Sequence, residues 1–269
     1  MRRTRAILFD VGDTLLGFPV PSWEEVDRAS IGALRDALAR PLADGTQLSA
    51  PLPSHERLLE AFEQAVRDWH ARTAHRLLEM RALDVLRSTL HRVGIDVSEA
   101  ALNGLERAWA APRLAIRQVF PEVGEVLAQL SAAGVRLGLI SNIWISGPII
   151  REHLDMLGLL RPFESVVLSS EVGLVKPHRV LFDVALSQLG VSPDEAWYVG
   201  DNPHADVAGA KAVGMGAVLV ERPDDRRPRP TPSGDFAPYD GPAPDLVIRD
   251  LREVLAIVEP GSRGPAGGR

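Results

Sequence analysis

Residues 5–14 read Arg5-Ala6-Ile7-Leu8-Phe9-Asp10-Val11-Gly12-Asp13-Thr14. Four apolar residues closed off by a carboxylate and then a glycine are too few for a helix. They fit a short strand that ends in a turn. A strand that is apolar throughout rather than alternating is buried on both faces, which is the habit of parallel sheets.

The chain beyond residue 121 agrees. Helical spacing over 122–133, 148–158, 178–189 and 204–213 alternates with short apolar runs at 135–141, 166–169, 196–200 and 217–220, and Asp245–Val258 supplies a last short strand and helix. This alternation predicts βαβ units and an α/β fold with a parallel sheet covered on both faces. From 22 to 112 the pattern is helical instead. Ser22 with Glu25 predicts a capping box, Val26, Ile31, Leu34 and Leu38 follow at helical spacing, and further helices are predicted at 54–75, 77–93 and 98–111. The reading is therefore a core of residues 1–16 and 115–258 interrupted by an inserted all-helical cap, 17–114, hinged near 16–20 and 112–116. The proline-containing stretch 222–244 reads as an exposed loop, and 259–269, rich in Gly and Pro, as a disordered tail.

Composition excludes several function classes. The 269 residues are 45% hydrophobic and 25% charged, enough for a sizeable core, and the net charge of −6 provides no cationic field for nucleic acid or an anionic membrane. Absence of cysteine excludes disulfides, thiol catalysis and thiolate metal sites. The apolar run Ala6–Phe9 is too short for a signal peptide, and no window approaches a membrane span of roughly 18 apolar residues. A soluble, cytoplasmic protein is expected.

In an open parallel sheet, chemistry gathers beyond the carboxyl ends of the strands. Four polar clusters stand there: Asp10, Ser141-Asn142, Lys176, and Gly200-Asp201 with Asp206. A carboxylate nucleophile, a hydroxyl and an amide for phosphate oxygens, a cation, and further carboxylates for a divalent metal together fit phosphoryl transfer.

These clusters, written out as Phe9-Asp10-Val11-Gly12-Asp13-Thr14-Leu15, Leu139-Ile140-Ser141-Asn142, Gly173-Leu174-Val175-Lys176-Pro177 and Val199-Gly200-Asp201-Asn202-Pro203-His204-Ala205-Asp206, resemble the four motifs of the haloacid dehalogenase-like hydrolase superfamily. The resemblance implies a Rossmann-like core, a Mg²⁺ ion and an aspartyl enzyme intermediate. By position it implies that Asp10 is the nucleophile and a metal ligand, that the Gly12 carbonyl and Asp201 hold the metal, and that Asp206 is their companion. It further implies that Thr14 orients the nucleophile loop, that Ser141 and the Asn142 backbone hold the phosphoryl oxygens, and that Lys176 offsets the charge. The expected activity is a phosphatase acting on a small phosphorylated metabolite, with the cap governing substrate choice.

The sequence departs from that pattern once. Phosphatases of the family usually carry an aspartate two residues after the nucleophile, which protonates the leaving oxygen; here that position is Gly12. Two other readings follow from it, a catalytically weak phosphate-binding or regulatory module and a dehalogenase, the latter opposed by Gly200-Asp201. A Schiff-base lysine in the cap is excluded because no lysine lies between 17 and 114. Trp144, two residues after Asn142, is a candidate for the pocket mouth. Arg72, Arg76 and Arg81 read as exposed helix residues, Trp69 and Trp109 as cap core, and His204 as an exposed helix-start residue.

Overall fold

The computed structural model describes residues 4–19, 22–48, 51–73, 76–222 and 238–258. Strand β1 (Ala6–Phe9) is wholly buried, and it stands inside a six-stranded parallel sheet. After β1 the chain makes a two-residue strand β2 (Leu16–Gly17) and then four helices, α1 (Trp23–Leu38), α2 (His55–Thr73), α3 (Ala82–Arg92) and α4 (Glu99–Ala115). A second short strand, β3 (Gln118–Val119), pairs antiparallel with β2, so the entry to the helical block and the exit from it are bound together. Helix α5 (Val123–Ala132), β4 (Arg136–Ser141), α6 (Gly147–Met156), β5 (Ser165–Leu168), the single turn α7 (Ser169–Val172), α8 (Arg179–Leu189), β6 (Ala196–Gly200), α9 (Ala208–Val213), β7 (Gly216–Val220) and β8 (Leu246–Ile248) complete the order. In the sheet the strands run β5-β4-β1-β6-β7-β8. The chain fills one side of β1 and then returns to fill the other, so the carboxyl ends of β1, β4 and β6 flank the crevice at which such sheets bind ligands.

Successive side chains of β1 point to opposite faces. Ile7 and Phe9 join an apolar cluster with Val123 and Leu127 of α5 and Ile150 and Leu154 of α6. Ala6 and Leu8 join the other, with Phe182 and Leu186 of α8 and Ala210 of α9. The first cluster continues into the helical block through Leu34, Phe62, Leu86, Leu105 and Trp109. The amphipathic helices 23–115 thus bury their apolar stripes chiefly against one another. Ser22 caps α1, its hydroxyl accepting from the Glu25 N–H at 3.2 Å.

Three predicted elements are corrected. Residues 77–81 are extended rather than helical, because the core loop takes their backbone groups. Leu78 bridges Leu174, the Glu79 N–H donates to the Gly173 carbonyl at 3.0 Å, and the Val175 N–H donates to the Leu77 carbonyl at 3.0 Å. The predicted helix 204–213 starts with a π-turn, Pro203–Val207, whose first N–H groups are capped by the Asn202 side chain. The last helix, Leu251–Ile257, is 3₁₀. Residues 223–237 of the expected loop and 259–269 of the expected tail lie outside the described residues. Among the described residues no helix is long and apolar enough to cross a membrane.

Candidate active site

Asp10 continues the ladder of β1, its N–H donating to the Val199 carbonyl of β6 at 2.9 Å, which aims its carboxylate out of the sheet's carboxyl edge. Lys176 meets it there. The ammonium donates to Asp10 Oδ1 at 2.6 Å, to Asp206 Oδ1 at 2.7 Å and to the Tyr198 hydroxyl at 2.8 Å. All three donor hydrogens of the lysine are used, and the side chain is 2% exposed. The Tyr198 hydroxyl in turn donates to the Ile140 carbonyl at 2.9 Å, tying the lysine to β4 and β6.

Burial would lower the Lys176 pKa, but the charges of Asp10 and Asp206 outweigh it and hold it well above the ordinary value. Burial pushes Asp10 up to about 6 against the pull of Lys176, and burial likewise raises the Tyr198 phenol, which the lysine opposes. A cation buried between two carboxylates is retained where the site, rather than the core, requires it.

The other predicted residues arrange around this centre. Asp206 is buried, and its second oxygen accepts from the Asn202 N–H at 2.9 Å. Its approach explains Gly200, where a Cβ would collide with the Asp206 carboxylate. Thr14 is fully buried, and its hydroxyl reaches Asp201 Oδ1 at 3.5 Å. Asp10, Asp201 and Asp206 each offer a carboxylate oxygen, and these lie within 4.8 Å of one another. Ser141 ends β4 beside them, nearly buried. The Asn142 side chain braces the lysine loop, its Oδ1 accepting from the Lys176 N–H at 2.8 Å and its amide donating to the Lys176 carbonyl at 3.4 Å.

Trp144 lies against Phe62 and Trp109, with ring centroids 6.2 and 4.8 Å away, and lines a cavity of about 350 Å³. Gly12 is not the strained residue of its turn; the left-handed position is Asp13, with φ 55°. The space beside Gly12 is occupied by the Phe18 ring, 3.2 Å from where a Cβ would stand.

Residues 4–214 match the profile of the family described as haloacid dehalogenase-like hydrolase. The chain belongs to the haloacid dehalogenase-like hydrolases. It is 31% identical over 258 residues to a glyceraldehyde 3-phosphate phosphatase of Methanopyrus kandleri, covering 94% of this chain and 97% of that one. It is 41% identical over 171 residues to a phosphoserine phosphatase of Thermus thermophilus, covering 61% and 63%. Among solved structures, a 2-haloacid dehalogenase from Pseudomonas syringae superposes with a TM-score of 0.60 at 25% identity, covering 94% of this chain and 97% of that one. As a haloacid dehalogenase-like hydrolase this chain is an enzyme, and the parallel sheet with its helical content is the family's Rossmann-like fold.

Several site residues escaped the sequence. Tyr198 could have been found as the hydroxyl-bearing residue in the otherwise apolar run Ala196–Gly200. Glu79 and Glu106 carried no signal, since both arrive from the helical block. Glu106 accepts from the Ser146 N–H at 2.9 Å and its hydroxyl at 2.5 Å, and Glu79 accepts from the Ser169 hydroxyl, which itself receives the Ile143 N–H at 2.7 Å. The Ala82 N–H donates to the Trp144 carbonyl at 2.9 Å. The loop that follows Asn142 is therefore held from three places on the helical side.

Arg72, Arg76 and Arg81 are exposed, as expected of helix-surface residues, although 76 and 81 lie outside the helices. Trp109 is fully buried. Trp69 is only partly buried, its edge against His70 rather than in the core, and His204 is partly buried against the Tyr239 ring at 5.1 Å rather than exposed.

Proposed function

We propose that the chain is a Mg²⁺-dependent phosphomonoester phosphatase that works through an aspartyl-phosphate at Asp10. The observation that carries this reading is the Lys176 ammonium shared at 2.6–2.7 Å between Asp10 and Asp206. That arrangement keeps a carboxylate aimed beside a buried cation, and because one ammonium is shared by two carboxylates, a divalent metal would be needed to balance a dianionic phosphoryl group. The phosphatase names of the relatives that align over the helical block as well as the core lend support.

Mg²⁺ suits the donor set. The clustered ligands are carboxylate oxygens, with no thiolate and no histidine among them, which is the chemistry of a hard cation. Asp10, Asp201 and the Gly12 carbonyl would hold it, with Asp206 anchoring the set, since both its oxygens are engaged by Lys176 and Asn202. Bound there, the ion supplies positive charge against the phosphoryl oxygens.

The protein's own residues do the rest. Asp10 attacks phosphorus in line, the Ser141 hydroxyl and the Asn142 N–H hold the transferred oxygens, and Thr14 steadies the turn beside Asp201. Residues 17–114 act as a cap over the core of 1–16 and 115–258 and exclude water during transfer.

Phosphate release from a panel of small phosphate esters tests the reading. Turnover that needs Mg²⁺ and disappears in Asp10→Asn is expected. Halide release from 2-haloacids without metal, and no phosphate release, would replace it with the chemistry named for the dehalogenase neighbour.

A further inference from the structure

Beside the loop that follows Asn142 the helices line a cavity with aromatic and aliphatic side chains and two arginine–carboxylate pairs. The 350 Å³ cavity is walled by Trp23, Phe62, Val66, Met80 and Trp144. Two of its lining residues lead toward the site. Trp23 lies 5.5 Å, centroid to centroid, from Phe18, the ring that fills the space beside Gly12, and Trp144 follows Asn142 by two residues.

The charges on this wall are already matched. Arg113 pairs with Asp27 and lies 4.5 Å over the Trp109 ring and 5.2 Å over the Trp144 ring, and Arg67 pairs with Glu63 at 3.5 Å. A second phosphate or a carboxylate meets cations that are already neutralised. A planar apolar group meets aromatic faces.

An independent observation concerns the leaving oxygen. Val11 and Gly12, the residues that follow the nucleophile, bring no proton donor in their side chains, and a phenyl ring stands where a longer side chain at 12 would go. Lys176 is committed to Asp10, Asp206 and Tyr198. An alkoxide needs a proton as it departs, whereas an aryl oxide leaves as a stabilised anion.

On the phosphatase reading above, we infer that the substrates are aryl phosphate monoesters whose ring seats between Trp23, Phe62 and Trp144. An Asp10 oxygen bonds to phosphorus as the phosphorus–aryl oxygen bond breaks. The aryloxide keeps the electron pair and takes a proton from solvent. Water then attacks the phosphorus of the aspartyl-phosphate, gives up a proton, and inorganic phosphate leaves with Asp10 restored. One water is consumed, and one phenol and one phosphate are released.

The test compares kcat/KM for 1-naphthyl phosphate, for 2-(1-naphthyl)ethyl phosphate, which has the same ring on an alkyl oxygen, and for acetyl phosphate, which is small and leaves easily. The naphthyl ester should exceed acetyl phosphate about tenfold or more through ring burial, and the naphthylethyl ester about a hundredfold through its leaving oxygen. Trp23 is 47% exposed, so Trp23→Ala should fold, which its melting midpoint checks. That change should lower the naphthyl-to-acetyl ratio roughly tenfold.

Preference for acetyl phosphate, or a ratio unmoved by Trp23→Ala, overturns the inference and leaves the phosphatase reading standing. Absence of phosphate release from all three compounds strikes the phosphatase reading instead, and the ring's seat is then read from binding. Asp10→Asn protein is titrated with 1-naphthyl phosphate and with inorganic phosphate while tryptophan fluorescence is followed. Tighter binding of the ester supports the seat, and equal binding overturns it.

Discussion

The ring of Phe18 stands 3.2 Å from the point at which a side chain on Gly12 would begin. The backbone at 12 is not left-handed, so the obstacle to Gly12→Asp is this ring rather than φ strain. Phe18 is partly buried and packed against Trp23. Gly12→Asp should therefore add an acid and base only in so far as Phe18 gives way, and Gly12→Asp with Phe18→Leu should do better than the single change. The gain is expected on alkyl phosphates, up to about 10²-fold, and should be small on aryl phosphates. Rates on one ester of each kind, at matched folded concentration, check it. Equal gains on both would show that another residue already moves the proton, with Asp13 the first to test.

Lys176→Met should destabilise the fold severely. It leaves Asp10 and Asp206 facing each other, buried, without the cation that both now share. Removing one partner of a buried ion pair costs about 3–5 kcal/mol. Lys176→Met combined with Asp206→Asn should recover part of that loss, because one of the two uncompensated charges goes with it. Urea denaturation of the three proteins measures both steps, and a single variant as stable as the parent would contradict the electrostatic account.

Asp10→Asn keeps the shape of the side chain and removes the charge proposed to attack phosphorus. Turnover should fall to background while the melting transition remains cooperative. EDTA should silence the parent protein in the same assay, and Mg²⁺ should restore it. Undiminished phosphate release from Asp10→Asn would place the nucleophile elsewhere.

Glu79 makes stability depend on pH. Burial raises its pKa from 4.5 to about 7, against the hydrogen bonds from Ser169 and the backbone. Between those two values the folded protein holds a proton that the unfolded chain releases, so this contribution is complete below about pH 4.5 and is lost as pH rises through about 7. Glu79→Gln, which is neutral throughout, should gain on the parent by on the order of 1 kcal/mol across that window. Melting midpoints of both proteins from pH 4.5 to 8 read the difference, and a constant offset would remove Glu79 from the account.

What the sequence determined by itself was the α/β core and the places where its polar residues gather. A short apolar run closed by Asp10 and Gly12 favours a buried strand that ends in a turn, and the alternating periods after residue 121 point to a parallel sheet as the way to bury the rest. Local rules of this kind act over a few residues, so they also placed Ser141 and Asp201 at strand ends and Lys176 and Asp206 in the segments that follow strands. Tertiary structure decided everything that depends on two distant segments meeting. Residues 77–81 have helical spacing but are extended, because Gly173–Val175 compete for their backbone groups. Tyr198 becomes part of the site only when β6 sets its hydroxyl between Lys176 and Ile140. Phe18 fills the place beside Gly12 only because the chain turns back through β2. Glu79 and Glu106 become anchors, the first partly and the second wholly buried, once the helical block meets the loop after Asn142. A helix's period specifies which face is buried, but not what it is buried against.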